Sequence, residues 1–147
     1  MSQVKEKNKK IITKEQELEQ EKKEKYYELR QLNENIKELH EHIERMEEQI
    51  TELKANKVIL KKFSELKPGK ELRVPLASGI YIIAELKDTS KVMINVGSDI
   101  TVEKKPEEVI EILETQVKEL VDYRKTLVEK IKSMIERAEE LQSYLQE

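Results

Sequence analysis

The sequence predicts an α+β fold in which a long antiparallel two-helix coiled coil is joined by two consecutive β-hairpins. Two observations indicate the helices, because apolar residues recur at alternating steps of three and four over residues 29–60 and again over residues 110–145. A third indicates the hairpins, because β-branched residues alternate with polar ones over residues 68–105. Heptad spacing is typical of helices that pack along one seam, and a two-residue period is typical of half-buried strands.

The first helix is expected in the segment 1–67. Its apolar residues keep one unbroken a/d register with Lys57 as the polar exception: Leu29, Leu32, Ile36, Leu39, Ile43, Met46, Ile50, Leu53 and Leu60. Extending that register backwards places Lys22 and Lys25 at core positions, so we expect residues 1–24 to form a frayed helical overhang. The helix should end near residues 63–66, because Pro68-Gly69 disfavours a helical backbone.

The segment 68–105 is expected to hold four strands in two hairpins. The runs are residues 71–76, 80–87, 91–96 and 100–104. Pro75 lies inside the first run, so this strand should be an edge strand or an interrupted one, since proline cannot donate to a β-ladder. Four short strands bury little by themselves and expose their edges, which favours assembly with other chains over hairpins that fold back on the helix ends.

The second helix is expected in the segment 106–147. Pro106 suits its first position, and Glu107 and Glu108 complement the positive end of the helix dipole. Arg124 is the polar exception in the second seam: Ile110, Leu113, Val117, Leu120, Leu127, Ile131, Met134, Ala138, Leu141 and Leu145. Both helices leave the same β segment, so they should pack antiparallel. One alignment, in which facing residue numbers sum to 170, pairs every a position with a d position, although a slip of one heptad stays open.

Composition excludes several classes of function. Charged residues make up 40% of the chain and aromatic residues 4%, which leaves too little apolar bulk for a globular core. Acidic and basic residues are interleaved at a net charge of -3, without the basic stripe that nucleic-acid binding needs. No apolar run approaches the roughly 20 residues that cross a bilayer, and no signal-peptide core is present. We therefore expect a cytoplasmic protein with no nucleic-acid or membrane partner.

No catalytic, metal or cofactor site is expected. His40 and His42 are two residues apart on a helix, whereas metal ligands on one helix need a spacing of three or four. The three glycines stand at separate turns and form no phosphate-binding loop. No nucleophile or acid/base pair occurs in a signature that builds an active site. The sequence therefore predicts no metal, no cofactor and no enzyme.

The order helix, two hairpins, helix resembles the α-type subunit of prefoldin over nearly the whole chain. The β-type subunit of that family has a single hairpin, so the four strands point to the α type. Residues 74–81 (VPLASGIY), 84–89 (AELKDT), 92–97 (VMINVG) and 102–104 (VEK) are similar to the central strands of the family.

This resemblance implies a hetero-hexameric co-chaperone of two α-type and four β-type subunits. The hairpins would join into an intersubunit β-barrel platform, and the coiled-coil arms would capture non-native polypeptides at their tips without ATP and deliver them to a group II chaperonin. Contacts within the platform would fall on apolar residues of the hairpins: Val74, Leu76, Ile80, Ile82, Val92, Ile94, Ile100 and Val102. Contacts with clients would fall on apolar residues near the arm tips: Ile11, Ile12, Leu18, Leu141, Tyr144 and Leu145.

Two other interpretations remain open. A structural coiled-coil adaptor would use the same seams to dimerise, with the hairpins as a cap and without chaperone activity. A coiled-coil arm that delivers a nucleic acid to an enzyme would require the missing basic stripe. Ordinary packing along the seam also competes with client contact as the role of the apolar residues near the tips.

Overall fold

The computed structural model describes residues 1–147 and contains two long helices and four strands. The elements in chain order are α1 (Ser2–Ser64), β1 (Glu71–Ala77), β2 (Ile80–Glu85), β3 (Val92–Asn95), β4 (Thr101–Lys104) and α2 (Pro106–Gln146). The expected α+β fold of two helices joined by two hairpins is confirmed. The chain divides into a first unit, Met1–Arg45 with Arg124–Glu147, and a second unit, Met46–Tyr123, so that each unit contains part of both helices.

In the first unit the two helices bury the apolar side chains of their seams. Leu141 is the most deeply buried at 1% exposure. The other seam residues of this unit are buried or half-buried: Leu29, Leu32, Ile36, Leu39, Ile43, Leu127, Ile131, Met134, Ala138 and Leu145. Complete burial of one large aliphatic side chain contributes about 1.5–3 kcal/mol, so this seam is the main source of stability in the unit. The heptad register read from the sequence is therefore confirmed here.

The beginning of α1 is helical, and the fraying that we expect of residues 1–24 stays a prediction. The helix is continuous from Ser2 to Ser64, although every residue from 1 to 21 is exposed. We call residues 1–21 the overhang. Lys22 and Lys25, which occupy core positions of the heptad register, are half-buried, because a long lysine stem can lie along apolar surface while its ammonium group stays in water. The two lysines therefore weaken the seam without ending the helix.

In the second unit the strands form two separate two-stranded antiparallel sheets, β1 with β2 and β3 with β4. Pro75 pairs with Tyr81 and Ala77 pairs with Ile80, so Leu76 is an extra residue on β1 and forms a β-bulge. β1 is continuous and is an edge strand, which is one of the two alternatives that Pro75 indicated. Because each sheet has only two strands, every strand has one edge without a hydrogen-bonded neighbour.

Both hairpin turns need a left-handed backbone. Gly79 has φ 75° in the first turn, and Gly97, Ser98 and Asp99 have φ 115°, 50° and 59° in the second. The second turn is closed by a hydrogen bond from the Val96 amide to the Ile100 carbonyl at 2.9 Å. Positive φ carries little cost for glycine, so the glycines allow both chain reversals.

The beginning of α2 anchors the second hairpin to its helix. Pro106 is less than 2% exposed and Val109 is 9% exposed. The Val109 amide donates to the Lys105 carbonyl at 3.2 Å, which extends the first helical turn back to the residue before the proline. Proline at this position loses no helical hydrogen bond, as the sequence indicated.

Two isoleucines of α2 test whether burial in the seam stabilises the fold. Ile131 is 5% exposed, and Ile135, one turn later, is 39% exposed. We expect Ile131→Ala to lower the free energy of unfolding by about 3 kcal/mol, because it leaves a cavity in the seam. Ile135→Ala should cost less than about 1 kcal/mol, because much of its surface is already in water. Urea unfolding followed by circular dichroism measures both values, and equal losses would contradict this account of the seam.

Candidate interaction surfaces

The first hairpin carries apolar side chains on both faces of its ribbon. The expected platform residues Val74 and Ile82 are directly opposite each other on β1 and β2, and both are exposed. Tyr81 and Ile83 alternate with Ile82 and therefore point to the other face, where they are 59% and 75% exposed. The chain thus leaves both apolar faces of this hairpin uncovered.

Tyr81 and Ile83 were absent from the expected platform set. A signal for them is present in the run of consecutive apolar residues from Ile80 to Ile83, because strands covered on both faces read as continuous apolar runs rather than as alternating ones. The alternating pattern that includes Ile80 and Ile82 describes only one face of β2.

The other platform residues divide by exposure. Leu76, Ile80 and Ile100 are exposed at 58–65%, whereas Val92, Ile94 and Val102 of the second hairpin are half-buried. The half-buried group follows from packing inside the second unit, where a groove of about 400 Å³ separates β3 from the neighbouring ends of both helices. Its apolar lining comes from Ile59, Leu60, Val92, Met93, Ile94, Val109 and Leu113.

The groove beside β3 is only partly closed. Ile59 on α1 is 62% exposed and Met93 on β3 is 68% exposed. The second hairpin therefore touches the helix ends without completing a core. A further apolar element could pack against these residues and against the exposed first hairpin of the same unit.

The residues expected to contact clients lie in the first unit and differ in exposure. Ile11, Ile12 and Leu18 on the overhang are about half exposed. Tyr144 and Leu145 are half-buried, and Leu141 is almost fully buried in the seam. Contact with Leu141 would require the two helices to separate, whereas contact with the overhang residues would not.

Two further apolar side chains near the overhang were not anticipated. Tyr26 and Tyr27 are 57% and 67% exposed. They lie beside Leu29 and Arg30 on α1. They lie outside the a and d positions, so a search restricted to the heptad seam misses them.

A group of polar contacts joins α1 and α2 near the overhang, and we call Lys25, Glu28, Arg137 and Tyr144 the terminal clamp. Arg137 Nε and Nη2 donate to the two carboxylate oxygens of Glu28 at 2.9 and 3.2 Å. This paired geometry is the strongest arrangement for a guanidinium and a carboxylate. The hydrogen bond from Arg137 lowers the pKa of Glu28 below its ordinary value of 4.5. Lys25 Nζ lies 3.5 Å from the centroid of the Tyr144 ring, which is a cation–π contact.

Polar contacts also fix the register of the helices in each unit. In the second unit Lys57 Nζ lies 2.7 Å from Glu114 Oε1, and in the first unit Lys25 lies over Tyr144. The residue numbers of these pairs sum to 171 and 169, within one residue of the alignment at 170, whereas a slip of one heptad would change the sum by seven. The residue numbers of Glu28 and Arg137 sum to 165. This sum differs because both residues lie beside the seam and not in it, and their long side chains extend along the helix axes to meet. The alignment read from the sequence therefore describes the helix pairing within each unit.

The described residues contain no group of three or more His, Cys, Asp or Glu side chains arranged to hold a metal ion. Neither helix has a stretch apolar and long enough to span a lipid bilayer. Exposed apolar side chains lie on the faces of the hairpins, on the overhang and at Tyr26 and Tyr27.

Comparison with known proteins places this arrangement in a family. The family model for "Prefoldin subunit" matches residues 32–147, which include the second half of α1, both hairpins and α2. The chain belongs to the prefoldin family. Prefoldin subunit alpha of Thermofilum pendens is 33% identical over 84 residues, and prefoldin subunit alpha 2 of Thermococcus kodakarensis is 35% identical over 79 residues. The expected resemblance to α-type prefoldin subunits is confirmed.

These matches cover part of each protein. The two alignments include 57% and 54% of this chain, and they span 65% and 56% of the relatives' own lengths. A solved structure gives wider coverage, since a filamentous PFD from Methanocaldococcus jannaschii, determined by cryo-EM, matches 80% of this chain and 97% of that chain. The identity is 26% and the TM-score is 0.70, so the helix–hairpins–helix arrangement is that of a prefoldin subunit.

The terminal clamp generates a prediction about pH. Because Arg137 lowers the pKa of folded Glu28, the stability from this pair is present above pH 4.5 and is lost as the pH falls through the folded pKa. We expect Glu28→Gln to be less stable than the unmodified chain at neutral pH, and the difference to shrink as the pH falls through the folded pKa of Glu28, because protonation removes the charge that Arg137 binds. Urea unfolding at neutral pH and at a series of acidic pH values measures the difference.

Glu41→Gln is the matched control, because Glu41 is an exposed α1 carboxylate without an ion pair. If Glu28→Gln followed the same pH dependence as the unmodified chain, the clamp would not contribute to stability.

Proposed function

We propose that the chain is the α-type subunit of a hetero-hexameric prefoldin that acts as an ATP-independent co-chaperone in the cytoplasm. Its proposed partners are β-type prefoldin subunits, in a ratio of two α-type to four β-type chains, together with non-native client polypeptides and a group II chaperonin. The observation that carries the proposal is the uncovered apolar surface on both faces of the first hairpin. Membership in the prefoldin family and the alpha relatives support the same assignment.

The hairpins supply both requirements for assembly through strands. Each strand has an unpaired edge, which offers backbone donors and acceptors to a neighbouring chain. The exposed apolar side chains of Leu76, Ile80 and Ile83 would be buried when further strands extend and cover the ribbon. A strand that is hydrogen-bonded along its edge and covered on its faces is a stable element, whereas an isolated two-stranded ribbon is marginal in water. Joining the hairpins of several subunits into the proposed β-barrel would meet both needs.

Client capture is proposed at the apolar residues of the first unit. Ile11, Ile12 and Leu18 present half-exposed side chains on a helix segment that nothing in the chain covers. Contact with any one of them would be weak, but several arms acting together raise the overall affinity through effective concentration. Tyr144 and Leu145 would take part at the edge of the seam, and Leu141 only where the helices separate. Weak, multivalent contact suits a chaperone that must release its client without ATP.

The adaptor interpretation accounts for less of the structure. An adaptor would use the coiled-coil seam alone, but that seam is already filled by the side chains of α1 and α2 in the first unit. It would also leave the apolar hairpin faces in water, and no comparison favours it.

The assembly proposal predicts that this chain, mixed with a single-hairpin β-type prefoldin subunit, forms a hexamer measurable by native mass spectrometry. Ile80→Asp should prevent that hexamer from forming, because it would bury an unpaired carboxylate, while the isolated subunit stays folded since Ile80 is 58% exposed. Val128→Asp is the matched control, because Val128 is 50% exposed on α2 and outside the hairpins. A hexamer of unchanged mass and stability with Ile80→Asp would contradict the proposed platform.

The client proposal predicts the effect of a triple variant, Ile11→Ser with Ile12→Ser and Leu18→Ser. We expect the hexamer to form normally and its suppression of client aggregation to fall by about fivefold or more, since several apolar contacts per arm are lost together. Light scattering from a chemically denatured client, diluted without ATP, measures the suppression. The control changes polar residues of the same segment, Thr13→Ser with Gln16→Ser and Gln20→Ser. Equal suppression by both variants would exclude the overhang as a client-binding surface.

A further inference from the structure

The overhang carries an apolar row in the register of the seam. Val4, Ile11 and Leu18 are seven residues apart, and the same step leads through Lys25 to the seam residue Leu32. All three apolar side chains are exposed. The d positions of the heptad register therefore continue along α1 beyond the part that α2 covers, so the overhang retains half of a coiled-coil interface and lacks a partner for it.

Charges on the overhang are segregated along its length. Residues 5–14 contain five lysines and one glutamate, and residues 15–21 contain four glutamates and no basic residue. Within one helix this arrangement is unfavourable, because like charges four residues apart repel each other. Such pairs are Lys5–Lys9, Lys10–Lys14, Glu15–Glu19 and Glu17–Glu21. No charged side chain from Lys5 to Glu19 forms an ion pair within the chain.

We propose that the overhangs of two copies of this chain pair as a short antiparallel coiled coil. Reversing one copy places its basic half beside the acidic half of the other, and the exchange is reciprocal, so two identical segments become complementary. A parallel, in-register arrangement would instead place Glu15 beside Glu15 of the second copy in the core, and Lys14 beside Glu19 would be its only opposite-charge contact on the flanks. The charge segregation that is unfavourable within one helix therefore favours a second, antiparallel copy.

The heptad positions give the register of this pair. When facing residue numbers sum to 26, every a position of one copy meets a d position of the other, for example Asn8 with Leu18. On one flank the e positions then place Lys5 beside Glu19 of the second copy, and on the other flank the g positions place Lys7 beside Glu21. Each contact occurs twice because the pair is symmetric. Ile12 meets Ile12 of the second copy near the two-fold axis.

The same register contains features that limit its strength. Ile11 faces Glu15 in the core layer next to the axis, and Lys14 lies beside Lys14 of the second copy on one flank. The pair is therefore weak and sensitive to salt, since its specificity comes from four exposed ion pairs that ions screen. It needs only the overhang, so it does not depend on the proposed co-chaperone function or on the hairpins.

Introduced cysteines test the orientation directly, because the chain contains no cysteine of its own. Full-length Asn8→Cys and Leu18→Cys chains are oxidised separately and as a mixture at low ionic strength. An antiparallel pair gives disulfide-linked dimers chiefly in the mixture, since position 8 of one copy faces position 18 of the other. Equal linkage in each separate sample, or no linkage in any sample, overturns the proposal.

Charge exchange tests the cause of pairing. Adding Lys5→Glu with Lys7→Glu to both cysteine chains makes all four flanking contacts repulsive, and we expect the disulfide yield of the mixture to fall by about tenfold. In the matched rescue, the Asn8→Cys chain keeps Lys5→Glu with Lys7→Glu, while the Leu18→Cys chain carries Glu19→Lys with Glu21→Lys. All four contacts are then attractive again and the yield returns. A disulfide yield that stays the same in all three mixtures contradicts antiparallel pairing.

Failure of this test leaves the proposed function unaffected, because hexamer formation and client suppression are measured separately. Failure of the hexamer or client tests likewise leaves the pairing of overhangs intact.

Discussion

The chain cannot cover the apolar side chains of its own hairpins, and this constraint shapes the rest of the molecule. The first hairpin is apolar on both faces, with Ile82 on one and Ile83 on the other exposed. The second hairpin contributes half-buried Val92 and Ile94 to a groove beside the helix ends that stays open. A sheet of two strands has neither the area nor the hydrogen bonds to be stable by itself. The proposed association with other chains would therefore also stabilise the fold of this segment.

The helices have the opposite property, because each unit contains both partners of its seam. Apolar residues supply the burial, and polar residues at a few positions select the alignment. Lys57 reaches Glu114 in the second unit, and Lys25 reaches the ring of Tyr144 in the first. Exposed ion pairs contribute little stability, but a pair that forms in one register and is lost in a slipped one still discriminates between registers. The polar exceptions in the heptads thus define the helix pairing that the apolar residues stabilise.

Sequence patterns predicted the structure correctly where one hydrophobic period, such as the heptad, determines which residues are buried. The heptads predicted the seam positions, and Pro75 indicated that β1 is an edge strand. They were insufficient where side-chain length or the second face of a strand mattered. Lys25 at a core position indicated a weaker seam, but the heptad pattern did not show that its ammonium group lies over the ring of Tyr144. Alternation describes one face of β2 and therefore does not include Tyr81 and Ile83 on the other face. The near-complete burial of Leu141 shows that the seam remains closed up to the terminal clamp.

Hydrogen–deuterium exchange of the hairpin amides tests most directly whether this segment depends on other chains. The isolated chain at high dilution is compared with the chain mixed with a β-type prefoldin subunit. The account predicts that amides of β1 and β3 exchange quickly in the dilute chain and become protected in the mixture, while amides near Leu127 and Ile131 in the seam keep the same protection. Strong protection of β1 and β3 in the dilute, isolated chain would contradict the account, because the hairpins would then be stable without a partner.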